Sequence, residues 1–134
     1  MELFRALVTG AALVVYLAGC GFVHDEKITG PYRLVAVDVS NQMRVCYTLE
    51  NDVCMGRIPE TVFSVGWNER FIVAEQHPSN NRAVTNYFIL EIARDSKLAD
   101  PSASVTGPLT AAAFQERVAQ LGLPEFTKTI RALE

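Results

Sequence analysis

Few residues in this chain have the types and spacing for covalent or proton-transfer chemistry. Ser64 lies in Val62-Phe63-Ser64-Val65-Gly66; no glycine precedes it, so it lacks the strained elbow that presents a nucleophilic serine. A serine nucleophile also needs an adjacent base. His77 is the histidine available in the folded part, and it opens the stretch His77-Pro78-Ser79-Asn80-Asn81-Arg82. That composition predicts a surface turn and a solvated imidazole. The carboxylate pairs Glu50 with Asp52 and Glu75 with Glu91 have no spacing that fixes the separation acid–base work demands. Solvated faces and turn ends account for them. Gly56, Gly66 and Gly107 are isolated, so no phosphate-cradling loop is expected. The chain therefore reads as non-enzymatic, with no catalytic residue and no cofactor. A small hydrolase is the alternative, and it would have to use His77.

The elements that would position these residues follow from pattern. Residues 32–39 and 43–49 alternate as two strands around Ser40-Asn41-Gln42. A three-residue loop there pairs Val39 with Met43, Val37 with Val45 and Val35 with Tyr47. It gathers Val35, Val37, Val39, Met43, Val45, Tyr47 and Leu49 on one face, and sets Asp38 opposite Arg44. A short strand over 53–58 follows the turn at Asn51-Asp52. Residues 61–67 and 70–76 form a second hairpin around Asn68-Glu69. Phe63, Val65, Ile72 and Ala74 lie on one of its faces, and Val62, Phe71 and Val73 on the other. Two apolar faces place it mid-sheet or under cover on both sides. At its tip, Trp67 opposite Arg70 suggests a cation–π pair. Tryptophan and arginine also dominate interface energetics, which makes these two the candidate contacts for a partner.

Residues 83–93 are the longest apolar strand, and residues 94–108 dissolve into Asp, Ser, Pro and Gly, a long loop. Thr110 then has the hydroxyl of a helix N-cap. Phe114, Val118 and Leu121 make one helical stripe, and Gly122 suits the left-handed position that ends the helix. Pro124 opens either a second short helix, with Phe126, Ile130 and Leu133 on one side, or a terminal strand. The expected class is α+β: an antiparallel β-meander of about five to six strands followed by one or two C-terminal helices.

The N-terminus is organised differently. Residues 6–19 form an uncharged run of fourteen, shorter than the roughly 20 apolar residues needed to cross about 30 Å of hydrocarbon. That length suits the hydrophobic core of a signal peptide, closed by small residues. The run ends in Leu17-Ala18-Gly19-Cys20, which resembles the lipobox of bacterial lipoproteins, cut between Gly19 and Cys20 and diacylated on the Cys20 sulfur. The resemblance covers the first twenty-odd residues. It implies a signal peptide over 1–19, a lipidated and solvated tether over 20–30, and a single domain over 31–134. It also implies a membrane anchor through the lipid on Cys20, and Gly21 after the cysteine favours the outer membrane, facing the periplasm.

Removing 19 of 134 residues leaves 115, enough for one domain with a real core. Glu2 and Arg5 cancel, so the mature chain keeps the formal charge of −3. Mild acidity gives no footprint for nucleic acid. With Cys20 lipidated, two cysteines and two scattered histidines are too few for a zinc site. An oxidising compartment favours a Cys46–Cys54 disulfide, and two turns compete there. A loop at Leu49-Glu50-Asn51 sets the cysteines directly opposite, whereas a two-residue Asn51-Asp52 loop turns them to opposite faces. The expectation is a lipid-anchored envelope lipoprotein that acts by binding a protein partner. It would be an envelope-assembly accessory or an immunity-type inhibitor of a toxin.

Overall fold

A computed structural model describes residues 21–134 of the chain. The apolar run 6–19 and the Leu17-Ala18-Gly19-Cys20 site lie outside the described residues. Within them, nine strands form two antiparallel sheets. β1 (His24–Thr29), β2 (Tyr32–Ala36), β3 (Arg44–Thr48) and β4 (Cys54–Ile58) make a meander in chain order. β5 (Val62–Trp67), β6 (Phe71–Gln76), β7 (Asn86–Glu91) and β8 (Val105–Leu109) make a second one. Helix α1 (Pro101–Ser104) precedes β8. Helix α2 (Ala111–Leu121) then carries the chain back, so that β9 (Lys128–Thr129) joins the far edge beside β5. The class is α+β, dominated by β, with nine strands where five to six were expected.

The sheets stack face to face, as sandwiches do. Leu34, Ala36, Val45 and Ile58 of the first meet Val65, Ile72, Ala74 and Leu90 of the second. Glu26 of β1 forms an ion pair with Lys128 of β9, joining the two sheets at one edge. The other face of the second sheet packs Phe71, Val73 and Ile89 against Phe114 of α2. The second hairpin is thus covered on both faces, as its two apolar stripes predicted.

Helix α2 forms where the sequence places it. Thr110 Oγ1 accepts from the Ala113 amide at 3.2 Å. Gly122 takes φ 64° and ψ 49°, left-handed values that cost glycine little. After it, the terminal strand forms rather than a second helix. The Thr127 and Ile130 amides donate to the Val65 and Phe63 carbonyls, pairing backbone groups of β5 that would otherwise face outward unpaired. This segment crosses close over Gly66, where a Cβ would fall 1.9 Å from the Glu125 carbonyl oxygen.

The first hairpin differs from expectation by three residues. Tyr32 pairs with Tyr47, Leu34 with Val45, and Val35 with Arg44. An odd shift exchanges the faces of one strand, so Leu34 and Ala36 point into the sandwich rather than Val35 and Val37. The turn widens, with a 3-10 segment at Ser40–Gln42. Val37 and Val39 are exposed, and Arg44 meets Glu60 at 3.6 Å instead of lying opposite Asp38. Residues 21–30, expected as spacer, contain β1. Its alternation is disguised because His24 and Glu26 occupy inward positions at an edge where polar residues are tolerated. The loop expected over 94–108 contains α1 and the edge strand β8.

Candidate functional site

The most complete side-chain assembly joins β4 to the connection after β7. Arg57 occupies a buried position on β4, and its Nε donates to Asp95 Oδ2 at 2.8 Å, with side chains 2% and 0% exposed. The Tyr32 hydroxyl donates to the same oxygen at 2.8 Å, and Ser104 Oγ donates to Oδ1 at 3.2 Å. The remaining guanidinium nitrogens reach the Gly56 and Ser96 carbonyls at 3.1 and 3.0 Å. The guanidinium also stands 5.4 Å from the centre of the Tyr47 ring. Burial, followed by the Asp95 hydrogen bond, pushes the Tyr32 hydroxyl well above the ordinary tyrosine range, so it stays a donor. The assembly is closed to solvent and saturated with partners, which is the condition under which a buried ion pair is tolerated. Its geometry suits a staple better than a reacting centre. The pattern had one signal for it, an arginine placed inside the short strand before Ile58.

His77 is not the solvated loop residue predicted. It is 5% exposed and stacks on Phe63 with ring centres 4.2 Å apart. Its Nδ1 pairs with the Val84 carbonyl at 2.8 Å, and Nε2 meets no hydrogen-bonding partner among the described residues. The cause is tertiary: the His77 backbone exchanges both hydrogen bonds with Thr61, which extends the second hairpin inward. Ser64 is also buried, but its hydroxyl is engaged by Thr129 Oγ1 at 2.9 Å and the Lys128 carbonyl at 3.2 Å. Serine and imidazole are therefore not paired.

The carboxylate pairs do not converge either. Glu91 turns to Arg94 at 3.2 Å. Glu75 is half-buried; desolvation raises its pKa most, Glu134 adds to the rise, and His77 opposes it. Glu50 and Asp52 are exposed on the β3–β4 turn. Among the described residues, no group of three His, Cys, Asp or Glu side chains is placed to hold a metal ion. None of the described helices is long and apolar enough to cross a membrane.

Cys46 and Cys54 are bridged, with Cα atoms 5.2 Å apart, inside the span a disulfide needs. Neither competing turn forms. Cys54 pairs with Thr48 and Cys46 with Gly56, so the two cysteines are diagonal neighbours on one face. The loop is Glu50-Asn51-Asp52, closed by the Leu49 amide on the Val53 carbonyl at 3.0 Å. Asp52 takes φ 61°, a left-handed value that aspartate accepts more readily than most residues.

The hairpin tip is also rearranged. Trp67 pairs with Ile72 rather than Arg70, and Asn68 Oδ1 accepts from the Arg70 and Phe71 amides at 2.9 and 2.8 Å. Arg70 lies over the Phe71 ring at 5.1 Å. Trp67 packs its partly buried ring on the inter-sheet core, so of the two candidate contacts Arg70 is the exposed one. A hollow of about 310 Å³ lies beside α2, with Phe114, Val118, Leu123 and Phe126 in its wall.

No curated protein and no solved structure matches the chain. A family model does match, from the last residue of β1 to the residue after β9. On that match over residues 29–130, the chain belongs to the family described as protein of unknown function DUF3997.

Proposed function

We propose that this protein is a lipid-anchored lipoprotein of the bacterial envelope that works as a non-enzymatic binding module. Its place would be in the periplasm, on the outer membrane, or at the cell surface. The observation that carries this reading is Leu17-Ala18-Gly19-Cys20 at the end of an uncharged run, four residues before the start of β1 at His24. The Cys46–Cys54 bridge supports it, because such bonds persist in oxidising compartments. The partner is a protein, as an assembly factor or an immunity-type inhibitor would have, and Arg70 at the exposed hairpin tip is the contact to vary first.

Replacing Cys20 with Ala in cells fed a fatty-acid analogue tests the anchor. The native chain should take up label and sediment with membranes, and C20A should do neither. Retained label in C20A would sink the reading. The second reading, a hydrolase centred on His77, draws on the unbonded Nε2 of a buried imidazole. Hydrolysis by the pure protein that collapses in H77A would move it ahead of the first.

A further inference from the structure

The start of β1 leaves little chain between the anchor and the fold. From Cys20 to Val23 there are three residue steps, and an extended chain covers at most about 3.6 Å per residue, or roughly 11 Å in all. Val23 is already tied to the domain, its amide donating to the Val37 carbonyl at 3.3 Å. Three valines are exposed at or near that contact, among polar neighbours such as Asp25 and Asp38. Val23, Val37 and Val39 are 54%, 37% and 51% exposed, and they are half of the six large hydrophobic residues exposed among the described ones.

Single exposed hydrophobes need no explanation, but neighbouring ones mark contact surfaces. Here a patch of branched aliphatic side chains sits within reach of the one residue expected to carry acyl chains. From this juxtaposition we infer that Val23, Val37 and Val39 form a membrane-contact surface that rests on the bilayer beside the Cys20 lipid. The inference depends on the anchor proposed above and goes beyond it by fixing which end of the domain faces the lipid. That orientation turns α2, on the far side of the second sheet, away from the bilayer and toward the compartment.

The full lipidated chain tests this in vesicles of phosphatidylethanolamine and phosphatidylglycerol. Its native thiols are acylated or bridged, so an introduced cysteine is the single site for a nitroxide label. Labels are compared at V37C, V39C and, on α2, E116C. Collisions with a water-soluble paramagnetic nickel complex should be several-fold rarer at 37 and 39 than at 116. A flexible Gly-Ser insertion after Gly21 should remove most of that difference. Equal access at all three positions in protein that floats with the vesicles overturns the orientation and leaves the anchor standing. Protein that fails to float, with no acyl group on Cys20, overturns the anchor and the orientation with it.

Discussion

The two sheets are held by different physics. The strands β6 and β7 of the second are buried on both faces, with Ile72, Ala74 and Leu90 in the inter-sheet core and Phe71, Val73 and Ile89 in the Phe114 cluster. Apolar burial contributes about 25 cal/mol per Å², and a strand buried twice collects it twice. The first sheet gives one face to the core, and its other ties are specific bonds. These are the Cys46–Cys54 bridge, the Arg57–Asp95 pair and the Glu26–Lys128 pair. Transfer of apolar surface is cheap to specify and forgiving of detail. Cross-links depend on position and, for the disulfide, on the redox state of the surroundings. The contrast makes the first sheet the part of the domain that depends on where the protein resides.

The staple is the sharpest place to break this contrast. Asp95→Ala leaves the Arg57 guanidinium buried without its carboxylate, a change expected to cost about 3–5 kcal/mol. That is a large share of a typical stability of about 5–15 kcal/mol. Urea unfolding of the variant measures it, and a loss under about 1 kcal/mol would mean that the first sheet does not need the pair. The double change Arg57→Met with Asp95→Leu should recover most of the loss.

On the second sheet, Phe114→Ala should cost about 3 kcal/mol by emptying the space beside Tyr87 and Phe126. Amide exchange should then quicken in β6 and β7 while the first sheet keeps its protection. Equal loosening of both sheets would erase the distinction.

Removing the bridge as Cys46→Ala with Cys54→Ala should cost roughly 2–3 kcal/mol, since the loop it closes is short. Thiol titration of the unfolded, unreduced chain with Cys20 replaced should find no free cysteine. Thr110→Ala removes the α2 cap and should cost about 1 kcal/mol, read as a small drop in Tm.

The smallest expected effect is at Glu75, on the helix side of the second sheet. Its folded pKa is raised above the unfolded value, so the fold favours the protonated form. Stability linked to this group is greatest at acid pH and falls as pH rises through the two values. Glu75→Gln should therefore raise Tm slightly at neutral pH and leave it unchanged in acid. A lowered Tm at neutral pH would mean that the charge is favourable where it stands.

Local pattern was sufficient for α2, where a hydroxyl cap, a heptad-spaced apolar stripe and a closing glycine all act within one helix. It was nearly sufficient for the second hairpin too, because a register shift of two residues keeps the faces of Phe63, Val65, Phe71, Ile72, Val73 and Ala74. Only Val62, beyond a bulge before Ser64, joins the inter-sheet core instead of the opposite face. The Cys46–Cys54 pairing was legible from compartment and proximity along the chain, although the turn that delivers it was not. Long-range packing decided the rest. The first hairpin slid by three residues because Leu34 and Ala36 fit the opposing sheet, a preference no turn signal encodes. β1 and β9 exist as strands because neighbouring edges had backbone groups to pair. His77 was drawn inward by Thr61, and Arg57 acquired its meaning from Asp95, thirty-eight residues away. Periodicity reports which side of an element is apolar. Which partner that side meets, and which polar groups are trapped when it does, depends on contacts between segments that the chain's local chemistry does not name.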